Sequence, residues 1–550
     1  MHHCIRYSKT LVHAILVFIL LVGVTSLTAA QSALMSDEDL AKAINETLTQ
    51  SYKPNEPGAA VIVVKDGKVL FRKGYGMANL ELGVPVEPDM VFRLGSITKQ
   101  FTAVAVLMLA EQGKLSLSDE ITKFLPDYPT KGHKITVEHL LNHTSGIKSY
   151  TSMPEWLALW RKDTTVKELI DLFKDQPMDF APGEKWSYNN SGYFLLGAII
   201  EKASGQTYQD FVEKNIFAPL GMKHSYYDNT SRIIPRRVTG YSKGSEGFRN
   251  AAYLSMFQPF AAGSLMSSVD DLALWDAALY TDKLVKQESL KRAWTASLLT
   301  NKRSAHYGYG WSLSSYEDRA LIEHSGGING FATYAVRVPD QRTYVAILTN
   351  RDWMSPGLVG FKIAALTIGK PFNDPVAIKM TPAQLDHYVG VYQLDEKDEV
   401  IVRRDGEKLF ANFPGGGRSE IVPSSETDFF VKDSRARLSF TKSAGGVTAL
   451  AVRGRGTDQE ARKTDKPLPA ERQAIAVDSA VYDGYVGEYE IAPNLMLTIT
   501  KEGSKLMGQA TGQPKIELLP ESQTKFFVKE APIQIEFVVD ASGKATSLML

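Results

Sequence analysis

The sequence predicts an α+β protein: an antiparallel sheet flanked by helices with a helical subdomain, followed by two small antiparallel β-barrels. Three observations carry this. Helical patterns crowd the middle of the first 370 or so residues, between two groups of strand patterns, a segregation that packs helices against an antiparallel sheet. Past Pro371 the texture changes to short, closely spaced strands and turns. Within that region Tyr388-Val389-Gly390-Val391-Tyr392 recurs as Tyr485-Val486-Gly487-Glu488-Tyr489. Pro423 recurs as Pro520 and Phe429-Phe430-Val431 as Phe526-Phe527-Val528, all at an offset of 97 residues.

The elements follow in chain order. Arg6 and Lys9 precede an apolar stretch from Leu11 to Val24 and then Thr28-Ala29-Ala30. This is the pattern of a secretory signal peptide over residues 1–30, with cleavage expected near Ala30-Gln31; the alternative is an uncleaved anchor helix, for which the apolar stretch is short. Ala59 to Lys65, Asp66-Gly67 and Lys68 to Lys73 read as a hairpin on an Asp-Gly turn. Helical patterns follow at Ser96–Gln112, Thr136–Leu141, Val166–Phe173, Ser191–Ala203, Tyr208–Ile216 and Ser268–Leu279. Strand patterns return at Ala320–His324, Phe331–Val338 and Thr343–Asn350. The expected domains are 31–375, 381–465 and 478–550, with the charged, proline-bearing stretch Arg453–Ala474 as the linker between the barrels.

Composition narrows the function. At 550 residues, with 44% hydrophobic and 23% charged residues, the chain is long enough for several cores. Lys+Arg and Asp+Glu both number 62, and loss of the leader removes Arg6 and Lys9, leaving a formal charge of −2. Nothing there invites nucleic acid or an anionic membrane surface. Cys4, in the leader, is the single cysteine, so the mature chain has neither disulfide nor cysteine metal site. The expectation is an exported protein of the periplasm or extracellular space, without cofactor or metal and without a stable membrane span after cleavage. Its partner would be a small molecule or short peptide, with association through the barrels left open.

Ser96 and Lys99 open the longest buried-helix pattern, Phe101 to Ala110. Residues three apart on a helix are neighbours, so the Lys99 amine can serve as a base for the Ser96 hydroxyl. Ser-x-x-Lys also occurs at Ser145/Lys148, Ser439/Lys442 and Ser522/Lys525, but in turns or strands, where such a pair does not share a face. Tyr188 and Asn190, in Pro182-Gly183-Glu184-Lys185-Trp186-Ser187-Tyr188-Asn189-Asn190-Ser191, can project from one turn at the entrance to an apolar helix. Tyr188 suits a proton relay, and Asn190 a group that orients Lys99 or a substrate amide. Leu321-Ile322-Glu323-His324-Ser325-Gly326-Gly327 is an apolar strand running into glycines, where close backbone approach is expected. The Gly327 amide can pair with that of Ser96 as an oxyanion hole.

In this order, Ser-x-x-Lys, Tyr-x-Asn and His-Ser-Gly resemble the motifs of the serine β-lactamase and penicillin-binding protein superfamily. The nearest branch holds class C β-lactamases, D-alanyl-D-alanine carboxypeptidases, D-aminopeptidases and esterases. Phe92-Arg93-Leu94-Gly95-Ser96, Leu140-Leu141-Asn142-His143-Thr144-Ser145-Gly146 and Tyr307-Gly308-Tyr309-Gly310-Trp311 are similar to that branch as well. The resemblance implies a β-lactamase-like domain with Ser96 as acylated nucleophile, Lys99 and Tyr188 sharing the proton transfers, and His324 among the catalytic residues. It places Asn190, Ser325, Gly326 and Gly327 at the substrate. His143 falls in what resembles a structural turn. His324 stands where penicillin-hydrolysing class C enzymes carry lysine, which favours peptides, D-amino-acid amides or small esters as substrates. A D-alanyl-D-alanine carboxypeptidase or weak β-lactamase is the alternative, and a penicillin- or muropeptide-binding receptor with negligible turnover is an alternative of another kind. The two C-terminal copies resemble lipocalin-like barrels appended to some of these hydrolases.

Overall fold

The computed structural model describes residues 35–550 apart from 245–246, 396–397, 415–416, 455–458, 471, 493–494, 511–514 and 530–532. The expected leader and Cys4 lie outside the described residues. Helix α1 (Asp37–Ser51) is capped by Ser36, whose side chain accepts from the Asp39 amide, and carries Asp37, Glu38 and Asp39 in its first turn. Leu40, Ile44 and Leu48, spaced by four, form its buried stripe. Strands β1 (Ala59–Lys65) and β2 (Lys68–Tyr75) meet at Asp66 and Gly67, both with positive φ, the twist a tight hairpin needs.

Helices α2 (Thr98–Glu111) and α3 (Asn190–Ser204) form the centre of the helical part, and α3 stops at Gly205, which adopts φ 72°. Strands β3 (Ser312–Tyr316), β4 (Arg319–Ile328), β5 (Phe331–Val338) and β6 (Thr343–Thr349) then join the hairpin. The resulting antiparallel sheet has the order β3-β4-β5-β6-β1-β2. Its inner strands β5 and β6 are buried along their whole length, because helices cover both faces. Val61, Val63, Val336 and Ile347 pack with α1 and with α4 (Gly357–Thr367), whereas Ala60, Ile62, Ala335 and Ala346 face the core shared with α2 and α3. This alternation is the two-residue period of the strands.

Strand β3 pairs with β4 no further than Ser312 opposite Glu323. On that side β4 is open from His324 onward, while on the other it stays paired, Gly327 opposite Ala332. An unpaired edge therefore runs along His324, Ser325, Gly326 and Gly327.

The C-terminal region forms a closed eight-stranded antiparallel barrel and a seven-stranded antiparallel meander. The repeat is visible in their cores. Tyr388, Tyr392, Phe429 and Phe440 fill the first, and Tyr485, Tyr489, Phe526 and Phe537 take the same places in the second. The Tyr388 hydroxyl donates to the Glu426 carbonyl, and Tyr485 to that of Gln523, again 97 residues on. One expectation needs correction: the stretch Arg453–Ala474 is not linker throughout, since Gln459–Lys463 is the strand that closes the first barrel. Its sequence, Gln-Glu-Ala-Arg-Lys, hides the strand, because Ala461 supplies its buried contact. The expected helix Tyr208–Ile216 also divides, into Tyr208–Val212 and a wider π-turn at Glu213–Phe217.

Candidate active site

Ser96 sits in a single 3-10 turn, Gly95–Ile97, that leads into α2. Gly95 has φ 54° and lies against β4: a Cβ on it would stand 2.9 Å from the Gly327 nitrogen. A Cβ on Gly326 would meet the Leu94 carbonyl oxygen at 2.0 Å. The glycines of both segments thus let the turn bearing Ser96 lie directly on the open end of β4. This brings Gly327 beside Ser96, as an oxyanion pair requires.

Lys99 follows one helical turn later and is fully buried. Its Nζ lies 3.1 Å from Ser96 Oγ, 2.9 Å from Asn190 Oδ1 and 2.8 Å from the Ala262 carbonyl oxygen. All three partners are neutral, so burial penalises the ammonium and pushes Lys99 well below the usual lysine range. A neutral amine offers two N–H groups and one lone pair. The two carbonyl-type oxygens take the N–H groups, and the lone pair is left for the Ser96 hydroxyl. The rings of Tyr188 and Tyr193, 4.8 and 5.4 Å from Nζ, complete its surroundings.

Tyr188 is 36% exposed as a residue, and its phenol is close enough to Ser96 to interact with it. Burial raises the phenol far above its usual range, and the Ser96 contact offsets only part of the rise. His143 holds Tyr188 in place. Its carbonyl accepts from the Ser187 amide at 3.0 Å, its Nδ1 accepts from the Asn189 amide at 3.1 Å, and its ring stands 4.4 Å from the Tyr188 ring. It is buried, adopts φ 62°, and is held neutral first by burial and then by Lys99. Asn189 caps α3 through the Gly192 amide, and Asn190 is engaged at both ends, by Lys99 and by Thr151. Asn190 therefore orients Lys99.

His324 lies on the cleft wall with its ring 6.1 Å from that of Tyr188. Nδ1 is 2.6 Å from the Ser325 carbonyl oxygen and Nε2 is 2.8 Å from the Tyr307 hydroxyl. The carbonyl calls for a proton on Nδ1, so Nε2 accepts from Tyr307. Burial and Lys99 push its pKa down to about 4, so it brings no cation to the site. Ser325 and Gly327 are exposed on the open edge and Gly326 is buried beneath it. The structure thus gathers Ser96, Lys99, Tyr188, Asn190 and His324 in one cluster, with Ser325, Gly326 and Gly327 continuing the strand that carries His324.

Sequence reasoning missed three contributors. The Ala262 carbonyl carries no side-chain signal. Tyr307 was legible only as part of a Tyr-Gly-Tyr-Gly-Trp stretch. His143 belongs to the expected turn, and that turn fixes Tyr188. Among the described residues no group of three His, Cys, Asp or Glu side chains is placed to hold a metal ion, and no helix is long and apolar enough to cross a membrane.

A family profile described as "Beta-lactamase" matches residues 40–359, and one described as "Domain of unknown function (DUF3471)" matches 374–466 and 471–550. Penicillin-binding protein 4* of Bacillus subtilis (strain 168) is 31% identical over 447 residues, covering 76% of this chain and 97% of that protein. Among solved structures, the octameric penicillin-binding protein homologue from Pyrococcus abyssi is 27% identical, with a TM-score of 0.57, over 78% of this chain and 100% of that one. D-amino acid amidase from Ochrobactrum anthropi SV3, solved with D-phenylalanine, is 26% identical, with a TM-score of 0.53, over 60% and 98%.

Proposed function

The chain belongs to the β-lactamase family of serine hydrolases, and on that premise we propose that it cleaves short peptides, D-amino-acid amides or small esters through an acyl-enzyme on Ser96. One observation carries the reading: a fully buried Lys99 amine with only neutral partners, 3.1 Å from Ser96 Oγ. Ser96 Oγ attacks the substrate carbonyl carbon while its proton passes to Lys99 Nζ. The scissile C–N or C–O bond breaks as the Tyr188 phenol protonates the leaving atom, and Lys99 returns the proton to Tyr188. Water, activated by the same pair, then cleaves the Ser96 ester. The amides of Ser96 and Gly327 receive the oxyanion, and the open edge of β4 pairs with an extended substrate.

Neutral His324 supports substrates that need no fixed cation opposite a carboxylate, and the amidase named above acts as a precedent for small amides. We further propose that the protein is exported after loss of residues 1–30, that residues 31–375 form the hydrolase domain, and that the barrels at 381–465 and 478–550 mediate any assembly. Replacing Ser96 by Ala should abolish hydrolysis of p-nitrophenyl acetate and of D-phenylalanine amide; unchanged turnover of both would refute the assignment. Similarity to a penicillin-binding protein favours one second reading, a receptor that stays acylated. Intact-mass spectrometry separates the two, since a hydrolase sheds its adduct within the time course and a receptor keeps it for hours.

A further inference from the structure

The first barrel reaches into the hydrolase domain with the guanidinium of Arg435. Arg435 lies in the turn between strands Asp428–Val431 and Arg437–Ser443. Its Nη2 pairs with Glu323 Oε1 and lies 3.2 Å from Ser314 Oγ, and its guanidinium stands 4.9 Å from the Phe361 ring of α4. Glu323 is 5% exposed and immediately precedes His324 on β4. The Ser314 hydroxyl of β3 donates to its Oε1 at 2.7 Å, and the Tyr334 hydroxyl of β5 donates to its Oε2. Glu323 is thus the last residue of β4 paired on both edges, and Arg435 is the cation facing it.

A second ion pair, Arg303 with Asp395, ties the barrel to the loop that leads into Tyr307, the partner of His324. Beside the Arg435–Glu323 pair lies a cavity of about 490 Å³ lined by Trp186, Tyr307, His324, Ser325, Asp433 and Arg435 among others. The internal repeat isolates what is special here. The aromatic core residues recur 97 positions later, but the counterpart of Arg435 is Pro532. The arginine is thus not part of what the two copies share.

We propose that Arg435 is a positioning residue of the active site: by neutralising Glu323 it holds in place the β4 segment that carries His324, Ser325 and Gly327. A buried carboxylate without its cation is strongly unfavourable, and β4 relieves it by shifting toward water. Burial pushes the Glu323 carboxyl up, but Arg435, Tyr334 and Ser314 together keep it below the usual range. The other charges nearby act on His324, which Lys99 pushes down and Glu323 pushes up. The inference rests on the reading of Ser96 as nucleophile, and its test separates the two.

Full-length Arg435→Met and the charge-free pair Glu323→Gln/Arg435→Met are compared with wild type by p-nitrophenyl acetate hydrolysis and by hydrogen exchange of the amides of residues 323–327. The single variant should lose about 10- to 100-fold in kcat/KM near neutral pH, since small displacements at a reacting centre have that effect. Its ratio to wild type should rise as the pH falls and Glu323 takes up a proton, and protection of the β4 amides should drop. The double variant should regain activity within about twofold of wild type at every pH, with protection restored. Wild-type activity in the single variant, or a double variant as impaired as the single one, would overturn the proposal. Should the single variant not fold, the double decides alone: folded and active supports it, folded and inactive refutes it. Were Ser96→Ala to remain fully active, the nucleophile assignment would fall while hydrogen exchange still judged Arg435.

Discussion

Gly326→Ala offers a direct measure of how closely the nucleophile turn rests on β4. The added Cβ would stand 2.0 Å from the Leu94 carbonyl oxygen and 2.3 Å from Thr333 Oγ1, two atoms that now share a hydrogen bond of 2.7 Å. Ordinary contact begins near 3.4 Å, so backbone must yield by about 1.4 Å, and overpacking of this kind costs about 1–3 kcal/mol. Loss of the Thr333–Leu94 hydrogen bond adds about 1 kcal/mol. Leu94 is two residues from Ser96, so the displacement separates the nucleophile from Gly327 and should lower kcat/KM by about 100-fold. Gly327→Ala is the matched control. Nothing lies within 4 Å of its added Cβ and its φ is not positive, so the fold should be as stable as wild type. Thermal melting and p-nitrophenyl acetate kinetics, corrected for the titrated fraction of active sites, measure both effects. Wild-type activity in Gly326→Ala, or equal destabilisation by the two substitutions, would refute the packing argument.

Lys99→Arg keeps a permanent cation where the site requires a base, so acylation measured by stopped flow should slow by about 10²–10⁴-fold. In the wild type, kcat/KM should fall with decreasing pH as Lys99 takes up its proton, and this limb should survive in His324→Gln, because His324 titrates only near pH 4. His143→Leu removes the acceptor that fixes Asn189, and kcat should fall about 10- to 100-fold with little change in KM, whereas His143→Asn, which tolerates positive φ and retains an acceptor, should recover most of it. Stability should also depend on pH. His324 has a folded-state pKa of about 4 against about 6.5 unfolded, so the unfolded chain binds more protons in between. Its contribution, about 3 kcal/mol, is complete above pH 6.5 and is lost as the pH falls toward 4; melting temperatures of wild type and His324→Gln across that range will show whether the slope belongs to His324.

Much of the site was legible because its decisive spacing is local. Ser96 and Lys99 are one helical turn apart, and the apolar run behind them marks the helix that makes them neighbours. The other three Ser-x-x-Lys matches have different partners: Lys148 pairs with Asp179, Ser439 donates to Asp428 directly opposite on the neighbouring strand, and the Ser522 hydroxyl accepts the Thr524 and Lys525 amides of its own turn. Tyr188 and Asn190 were readable as a pair for the same reason. Illegible were the groups whose role comes from distant chain: the Ala262 carbonyl and Tyr307, which meet the site from other loops, and Arg435, whose partner Glu323 stands 112 residues away in the chain. The strand Gln459–Lys463 was hidden because one small buried residue among charges leaves no alternation to detect.

The sequence by itself determined which residue types stand at which spacing, and hence the α+β class, the duplicated barrels, the family and the serine–amine pair proposed as nucleophile and base. Only the tertiary structure decided the state of that amine. Lys99 loses its proton readily because Asn190, Ala262, Tyr188 and Tyr193 arrive from elsewhere in the chain, exclude water and bring no compensating charge. Spacing along a chain sets which groups can touch; the free energy of a charge depends on everything that surrounds it.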